Sequence, residues 1–207
     1  MMTAIILAGG KSSRMGRDKA FMKIGRTNLI KRELEILRKI FKEILIVANK
    51  PKKYRFSRNV KVMKDIIPNL GPLGGLYSGL KASDTKYNFV AGCDMPFLNP
   101  DLIRYMMKSK KNYDVVVPKA NGRMHPLFGI YSKKCIPAIE ENLKEGRRNV
   151  SSIFPKMRTK VVSGKDIVPL DNKMYSLMNI NTPDDLKVAK RIERRQMHGR
   201  SANRTET

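Results

Sequence analysis

The sequence predicts an α/β sandwich built on a mainly parallel sheet. Three observations carry that expectation. Ala4-Ile5-Ile6-Leu7 and Ile44-Leu45-Ile46-Val47-Ala48 are apolar at every position, as strands buried on both faces must be. Segments of helical period separate such runs, and strand then helix recurs along the chain. Glycine or a single polar residue follows directly on several strands, where open α/β sheets collect their ligands. A chain of 207 residues suits one well-buried core and is short for two.

The elements follow in order. Thr3 to Leu7 is the first strand. Near Asn28 to Phe41, Leu29, Ile30, Leu34, Leu37, Ile40 and Phe41 recur at helical spacing, with Lys31, Arg32, Glu35 and Arg38 on the other face. Glu43 to Ala48 and Val60 to Met63 are the next strands. Gly71-Pro72-Leu73-Gly74-Gly75 reads as a turn leading into a helix from about Leu76 to Ala82. Tyr87 to Gly92 is a fourth strand. Asn99-Pro100-Asp101 opens a helix, with Asn as cap, Pro in the first turn and Asp complementing the dipole. Asp114 to Pro118 and Leu127 to Tyr131 are further strands. A helix over Lys133 to Glu145 stops at Gly146. Tyr175 to Ile180 is expected as a last strand. Thr182-Pro183-Asp184-Asp185 then starts a helix with a capping box. One domain is expected over 1–190. Residues 191–207 carry Arg191, Arg194, Arg195, Arg200 and Arg204 and are expected to form a disordered basic tail, frayed beyond about Met197.

Composition narrows the function classes. No apolar run approaches the ~20 residues that span a bilayer, and Met1-Met2-Thr3 leads straight into a strand, so a cytoplasmic protein is expected. Cys93 and Cys135 form no metal-ligand spacing with His125 or His198 and read as inert thiols. The net charge of +25 comes from 43 Lys and Arg against 18 Asp and Glu. It is spread along the chain without a zinc finger, a helix-turn-helix or aromatic-studded binding motif. Specific nucleic-acid recognition is therefore not expected, although weak, salt-sensitive binding to polyanions is.

The chemistry concentrates at strand ends. Leu7-Ala8-Gly9-Gly10-Lys11-Ser12-Ser13-Arg14-Met15-Gly16-Arg17-Asp18-Lys19 follows the first strand. Paired glycines let backbone N–H groups approach phosphate oxygens, and successive N–H groups form an anion nest. Arg14 offers a planar fork and Lys19 a point charge. A Walker A loop is excluded because Ile5 stands where its first glycine belongs, and G-x-G-x-x-G is absent. Asn49 and Asp65 each follow a strand, as turn formers or ligand contacts. Asp94 ends a strand at Cys93-Asp94-Met95-Pro96. A carboxylate there suits Mg²⁺, which takes few protein carboxylates and completes its shell with substrate phosphates; Asp before a turn proline is also an ordinary cap. Gly75 and its neighbouring glycines can admit a flat base or serve close helix–sheet packing.

The stretch from Leu7 to Lys19 resembles the signature of the nucleotidyltransferases. Its Arg14-Met15-Gly16-Arg17-Asp18-Lys19 ending most closely resembles the molybdenum cofactor guanylyltransferases, the MobA family. The resemblance extends with gaps from about Thr3 to about Leu186. It implies a three-layer sandwich with a Rossmann-like sheet, of the nucleotide-diphospho-sugar transferase type. It implies transfer of GMP from GTP to the terminal phosphate of molybdopterin, loaded with molybdenum or tungsten, with release of pyrophosphate. Catalytic roles would fall to Arg14, Lys19 and Asp94, with Mg²⁺ on Asp94. GTP would be held by Leu7, Ala8, Gly9, Gly10, Lys19, Asn49, Asp65, Gly75 and Asp94, all in the N-terminal half.

The matching pterin-side positions are His125, Arg147, Arg148, Asn179 and Asn181. Each also has an ordinary structural role open to it: a satisfied histidine, a solvated cation pair, and helix-entry amides. The Arg147-Arg148 turn leaves open which arginine takes the family position. On an extended strand Asn179 and Asn181 would face the same side. Partners implied are GTP, molybdopterin, and a molybdoenzyme or cofactor-insertion protein, with no membrane. Three alternatives stay open. One is a nucleotidyltransferase of the same fold acting with CTP on molybdopterin, on cobinamide phosphate or on a sugar phosphate. The second is a non-catalytic polyanion-binding protein. The third is a structural or chaperone role towards a molybdoenzyme.

Overall fold

A computed structural model describes residues 1–8, 19–54, 56 and 59–202. The strands are β1 (Thr3–Leu7), β2 (Lys23–Ile24), β3 (Thr27–Asn28), β4 (Ile44–Ala48), β5 (Val60–Lys64), β6 (Tyr87–Gly92), β7 (Val115–Ala120), β8 (Arg123–Met124), β9 (Phe128–Ser132) and β10 (Thr159–Val162). The helices are α1 (Leu29–Leu37), α2 (Gly71–Ala82), α3 (Pro100–Ser109), α4 (Ile136–Lys144), α5 (Gly164–Ile167) and α6 (Pro183–Ala202). The main sheet has the order β10-β7-β9-β6-β1-β4-β5, with β8 paired to β7, and β2 and β3 form a separate hairpin. β1 runs parallel to both β4 and β6, and β9 runs antiparallel between β6 and β7.

Alternation along the central strands divides the core between two faces. Ala4 and Ile6 of β1 pack with Ile30 and Leu34 of α1 and Leu102, Ile103 and Met106 of α3. Ile5 and Leu7 face the opposite layer, with Leu73, Leu76 and Leu80 of α2 and Ile139 of α4. The chain is therefore helix on sheet on helix, as predicted. A smaller cluster joins Ile24 and Leu29 to Ala189 and Ile192 of α6 and to Phe97 and Ile180. It fastens the C-terminal helix beside the start of α1. Among the described residues no helix is long and apolar enough to cross a membrane. Neither cysteine forms a disulfide among the described residues, and burial pushes the pKa of Cys135 up to about 12.

Three expectations are corrected. First, α2 starts at Gly71 rather than Leu76, so the glycine-rich stretch forms its opening turns. Pro72 is tolerated there because the first N–H groups of a helix need no intrahelical partner. Glycine is needed on the buried side: a Cβ on Gly79 would lie 2.6 Å from Cγ2 of Ile5, and one on Gly75 would lie 3.4 Å from Cδ2 of Leu7. Second, Tyr175 to Ile180 forms no strand. Tyr175–Leu177 is a 3₁₀ turn entered through Met174 in the left-handed region, at φ 50°. The Asp171 carboxylate holds it, accepting from Tyr175 N, Ser176 N and Ser176 Oγ. That local side-chain capping outcompetes the extended form. Third, the last helix extends past Met197 to Ala202. Residues 203–207 of the predicted tail lie outside the described residues.

Replacing Gly79 by alanine forces α2 off β1. An unfolding free energy lower by about 1–3 kcal/mol is expected, the usual cost of overpacking a core. Urea denaturation followed by circular dichroism checks it.

Candidate active site

The parallel strands place their carboxyl ends along one rim, and the polar residues follow there. A cleft of about 260 Å³ opens at the ends of β1, β4 and β5. Leu7, Val47, Ala48, Asn49, Asp65, Asn69, Gly71, Pro72, Gly75 and Arg148 line it. Four residues expected around the nucleotide, Leu7, Asn49, Asp65 and Gly75, are thus brought together. The small side of α2 makes room for this cleft, since its opening turns present glycine and proline. Asp65 is fixed from below: Ser78 Oγ donates to its Oδ1 at 2.6 Å, and Ser78 is itself fully buried.

Beside the cleft, at the end of β6, lies a second polar cluster. Cys93 N donates to Leu7 O at 3.2 Å, which sets the following Asp94 next to the cleft wall. Lys19 Nζ donates to Asp94 Oδ2 at 3.3 Å and to Asn181 Oδ1 at 2.7 Å. Asn179 Nδ2 reaches Asp94 Oδ1 at 3.4 Å, and Ile180 N donates to Asp94 O at 2.9 Å. A Cβ on Gly92 would lie 2.8 Å from Asp94 Oδ1, so only glycine leaves the carboxylate its place. Burial raises the pKa of Asp94, opposed by the adjacent Lys19 ammonium. A carboxylate in such a setting is stabilised by a further cation.

Glu33 of α1 is the second acid here, and the sequence analysis did not single it out. It is fully buried; its Oε1 accepts from Met95 N at 3.1 Å, and its Oε2 has no hydrogen-bond partner among the described residues. Burial first, then the Asp94 charge, push its carboxyl well above the ordinary value of 4.5. The only available signal was a charged residue on the apolar stripe of α1, flanked there by Ile30, Leu34 and Leu37.

The pterin-side residues separate. Arg148 lines the cleft with the nucleotide-side residues, whereas Arg147 turns to the surface and pairs with Glu145 at 2.8 Å. Asn179 and Asn181 join Lys19 and Asp94, although the strand that was to align them does not form. Their convergence comes instead from the bond between Ile180 N and Asp94 O. His125 is half-buried, its pKa lowered chiefly by burial. It opens the turn whose Leu127 O accepts from Gly92 N at 3.0 Å, so this turn abuts the end of β6. Ala8 N donates to Val47 O at 2.8 Å, which continues the pairing of β1 by one residue. Gly9, Gly10 and Arg14 lie outside the described residues.

A mainly parallel sheet carrying a base-sized cleft, a strand-terminal carboxylate and a convergent lysine defines the nucleotidyltransferase class. Residues 4–160 match the model of the MobA-like NTP transferase domain, and the chain belongs to that family. Its curated relatives agree along nearly their whole length. A Desulfosudis oleivorans protein named molybdenum cofactor guanylyltransferase is 34% identical over 91% of this chain and 94% of its own. A Pelotomaculum thermopropionicum protein named "Probable molybdenum cofactor guanylyltransferase" is 37% identical over 96% of both chains. Among solved structures, molybdopterin-guanine dinucleotide biosynthesis protein A from Archaeoglobus fulgidus shares the fold with a TM-score of 0.81 at 24% identity, covering 94% of this chain and 100% of that one. The 2-C-methyl-D-erythritol 4-phosphate cytidylyltransferase of Thermus thermophilus shares it at a TM-score of 0.68 and 14% identity, covering 94% of this chain and 100% of that one.

The raised carboxyl of Glu33 makes stability pH-dependent. The folded state holds this proton more tightly, so the contribution is complete below 4.5 and is lost as pH rises through the folded value. Relative to Glu33→Gln, the wild type is expected to lose about 1.4 kcal/mol per pH unit in that window. Denaturant titrations of both proteins across the acid-to-neutral range measure the slope.

Proposed function

We propose that this protein transfers GMP from GTP to the terminal phosphate of molybdopterin, giving the guanine dinucleotide form of the cofactor and pyrophosphate. The observation that carries the proposal is the adjacency of the Asn49–Asp65–Gly75 cleft and the Asp94–Lys19–Asn181 cluster, joined through Leu7. A nucleoside fits the first and a phosphate chain the second. The name molybdenum cofactor guanylyltransferase, carried by the relatives, supports this choice of substrates. The described chain through residue 190 acts as one nucleotidyltransferase domain, the nucleotide cleft built mainly from its first half.

The acceptor needs no activation by a side chain. A phosphate monoester has a second pKa of about 6 and is largely ionised at neutral pH. One of its oxygens attacks the α-phosphorus of GTP, a new phosphorus–oxygen bond forms, and the bond from the α-phosphorus to the bridging oxygen breaks. The electron pair leaves with pyrophosphate. The protein's task is to align the two anions and offset their repulsion. Lys19 contributes a positive charge where it now meets Asp94 and Asn181, and Arg14 belongs to the same phosphate-binding stretch. Arg148 brings a guanidinium to the nucleotide cleft, and Asn179 and Asn181 orient the Asp94 carboxylate and the Lys19 ammonium.

The residues present fit Mg²⁺. Asp94 and the amide oxygen of Asn181 are hard oxygen donors already gathered around a cation, Lys19. Among the described residues no group of three or more His, Cys, Asp or Glu could hold a metal ion alone. That donor set suits an ion taking most of its shell from phosphate and water. When bound, Mg²⁺ supplies positive charge to the phosphate oxygens that Asp94 could not otherwise approach.

A thermal-shift panel of GTP, CTP, ATP and UTP, each with and without Mg²⁺, tests the proposal. GTP with Mg²⁺ is expected to stabilise the protein most, by about 2.7 kcal/mol at a hundredfold excess over Kd. A larger response to CTP would overturn the choice of nucleotide. Asp94→Ala is expected to abolish Mg²⁺-dependent release of pyrophosphate while leaving the circular dichroism spectrum unchanged, and full turnover in that variant would remove Asp94 from the mechanism.

A further inference from the structure

The backbone beyond Asp94 leaves the sheet and pairs with no strand among the described residues. Two consecutive residues of α1 take over. Arg32 Nε donates to Pro96 O at 3.0 Å, and Glu33 Oε1 accepts from Met95 N at 3.1 Å. Arg32 is anchored in turn: its guanidinium pairs with Glu193 of α6 and lies 5.5 Å over the Phe97 ring. On the other side, Ile180 N holds Asp94 O. The turn that presents Asp94 is thus gripped from α1 and from the segment before α6.

Glu33 is an unusual choice for this task. It sits among apolar side chains of α1, with no exposed surface, and its Oε2 finds no partner among the described residues. A buried polar atom without a partner costs free energy, and an apolar group of similar shape would avoid that cost. What an apolar group could not do is accept from Met95 N. We infer that Glu33 is a positioning residue for the transfer reaction, fixing the main chain at Met95 so that Asp94 holds its carboxylate against Lys19 and Asn179. Stability is given up at position 33 for the placement of the acid at position 94. The inference rests on the role proposed above for Asp94, although the geometry it asserts can be read without substrate.

Glu33→Leu, Glu33→Met and Glu33→Gln test it, with the wild type as reference. Both apolar variants are expected to melt no lower than the wild type. Their half-saturating Mg²⁺ concentration should rise by about tenfold and kcat should fall by about tenfold, while GTP binding without Mg²⁺ stays unchanged. Glu33→Gln keeps an oxygen acceptor for Met95 N and is expected to restore kcat and Mg²⁺ dependence to within about threefold of the wild type. A crystal structure of Glu33→Leu supplies a readout independent of activity. Displacement of Asp94 Oδ2 from its 3.3 Å contact with Lys19 supports the inference, and an unmoved pair overturns it. Wild-type Mg²⁺ dependence in both apolar variants, or lower melting temperatures in both, would also overturn it. Failure of the wild type to respond to GTP with Mg²⁺ would instead overturn the guanylyl-transfer proposal, leaving the position of Asp94 in the variant crystal to decide the role of Glu33.

Discussion

The site depends on keeping one carboxylate, that of Asp94, charged in a place where water has largely been removed. Its side chain is 15% exposed, and burial works against its ionised form. A carboxylate buried without compensation takes up a proton and loses its affinity for cations. The Lys19 ammonium and the Asn179 amide supply that compensation. Each comes from a different part of the chain, so the fold must close before the acid can serve. The same low-dielectric setting strengthens its attraction for any cation brought next to it.

This demand explains features that would otherwise look unrelated. Gly92 has no side chain because any Cβ would meet the carboxylate. Arg32 and Glu33 hold the turn after Asp94, and the segment through Asn181 closes over it before α6 begins. The Asp185 carboxylate accepts from Asn181 N and Thr182 N, so the capping box of α6 also steadies Asn181. Helix capping and construction of the candidate site are here the same set of hydrogen bonds. The cleft at the ends of β1, β4 and β5 follows a different rule, namely space: glycines of α2 bring its backbone close to Leu7 and Ile5, and Asp65 is braced by Ser78.

Much of this was legible in the order of residues. Uninterrupted apolar strands, the Asn99 and Thr182 caps, the stop at Gly146 and the strand-terminal Asp94 are local signals, each decided by a few neighbouring residues. Other features were read wrongly for equally physical reasons. Tyr175 to Ile180 has the composition of a strand, but Asp171 captures its N–H groups and winds it into a turn. The glycines after Leu70 look like a loop until their closeness to β1 is seen, for helix propensity does not register a tight interlayer contact. Arg147 and Arg148 are neighbours in sequence with the same chemistry. The main-chain bond from Leu73 N to Arg148 O, at 3.2 Å, ties one to the cleft wall, while the other pairs with Glu145.

By itself the sequence determined the class of fold, the strand ends at which polar residues collect, and the family to which their pattern belongs. These depend on periodicity and on short motifs, which act over a few residues. The tertiary structure alone decided which of those residues meet. Lys19, Asp94 and Asn181 are distant along the chain, and their contact is set by sheet order and by the packing of α6. Glu33 shows the difference most clearly: in sequence it is one charged residue in a helix, and only its burial beneath Met95 makes it part of the site.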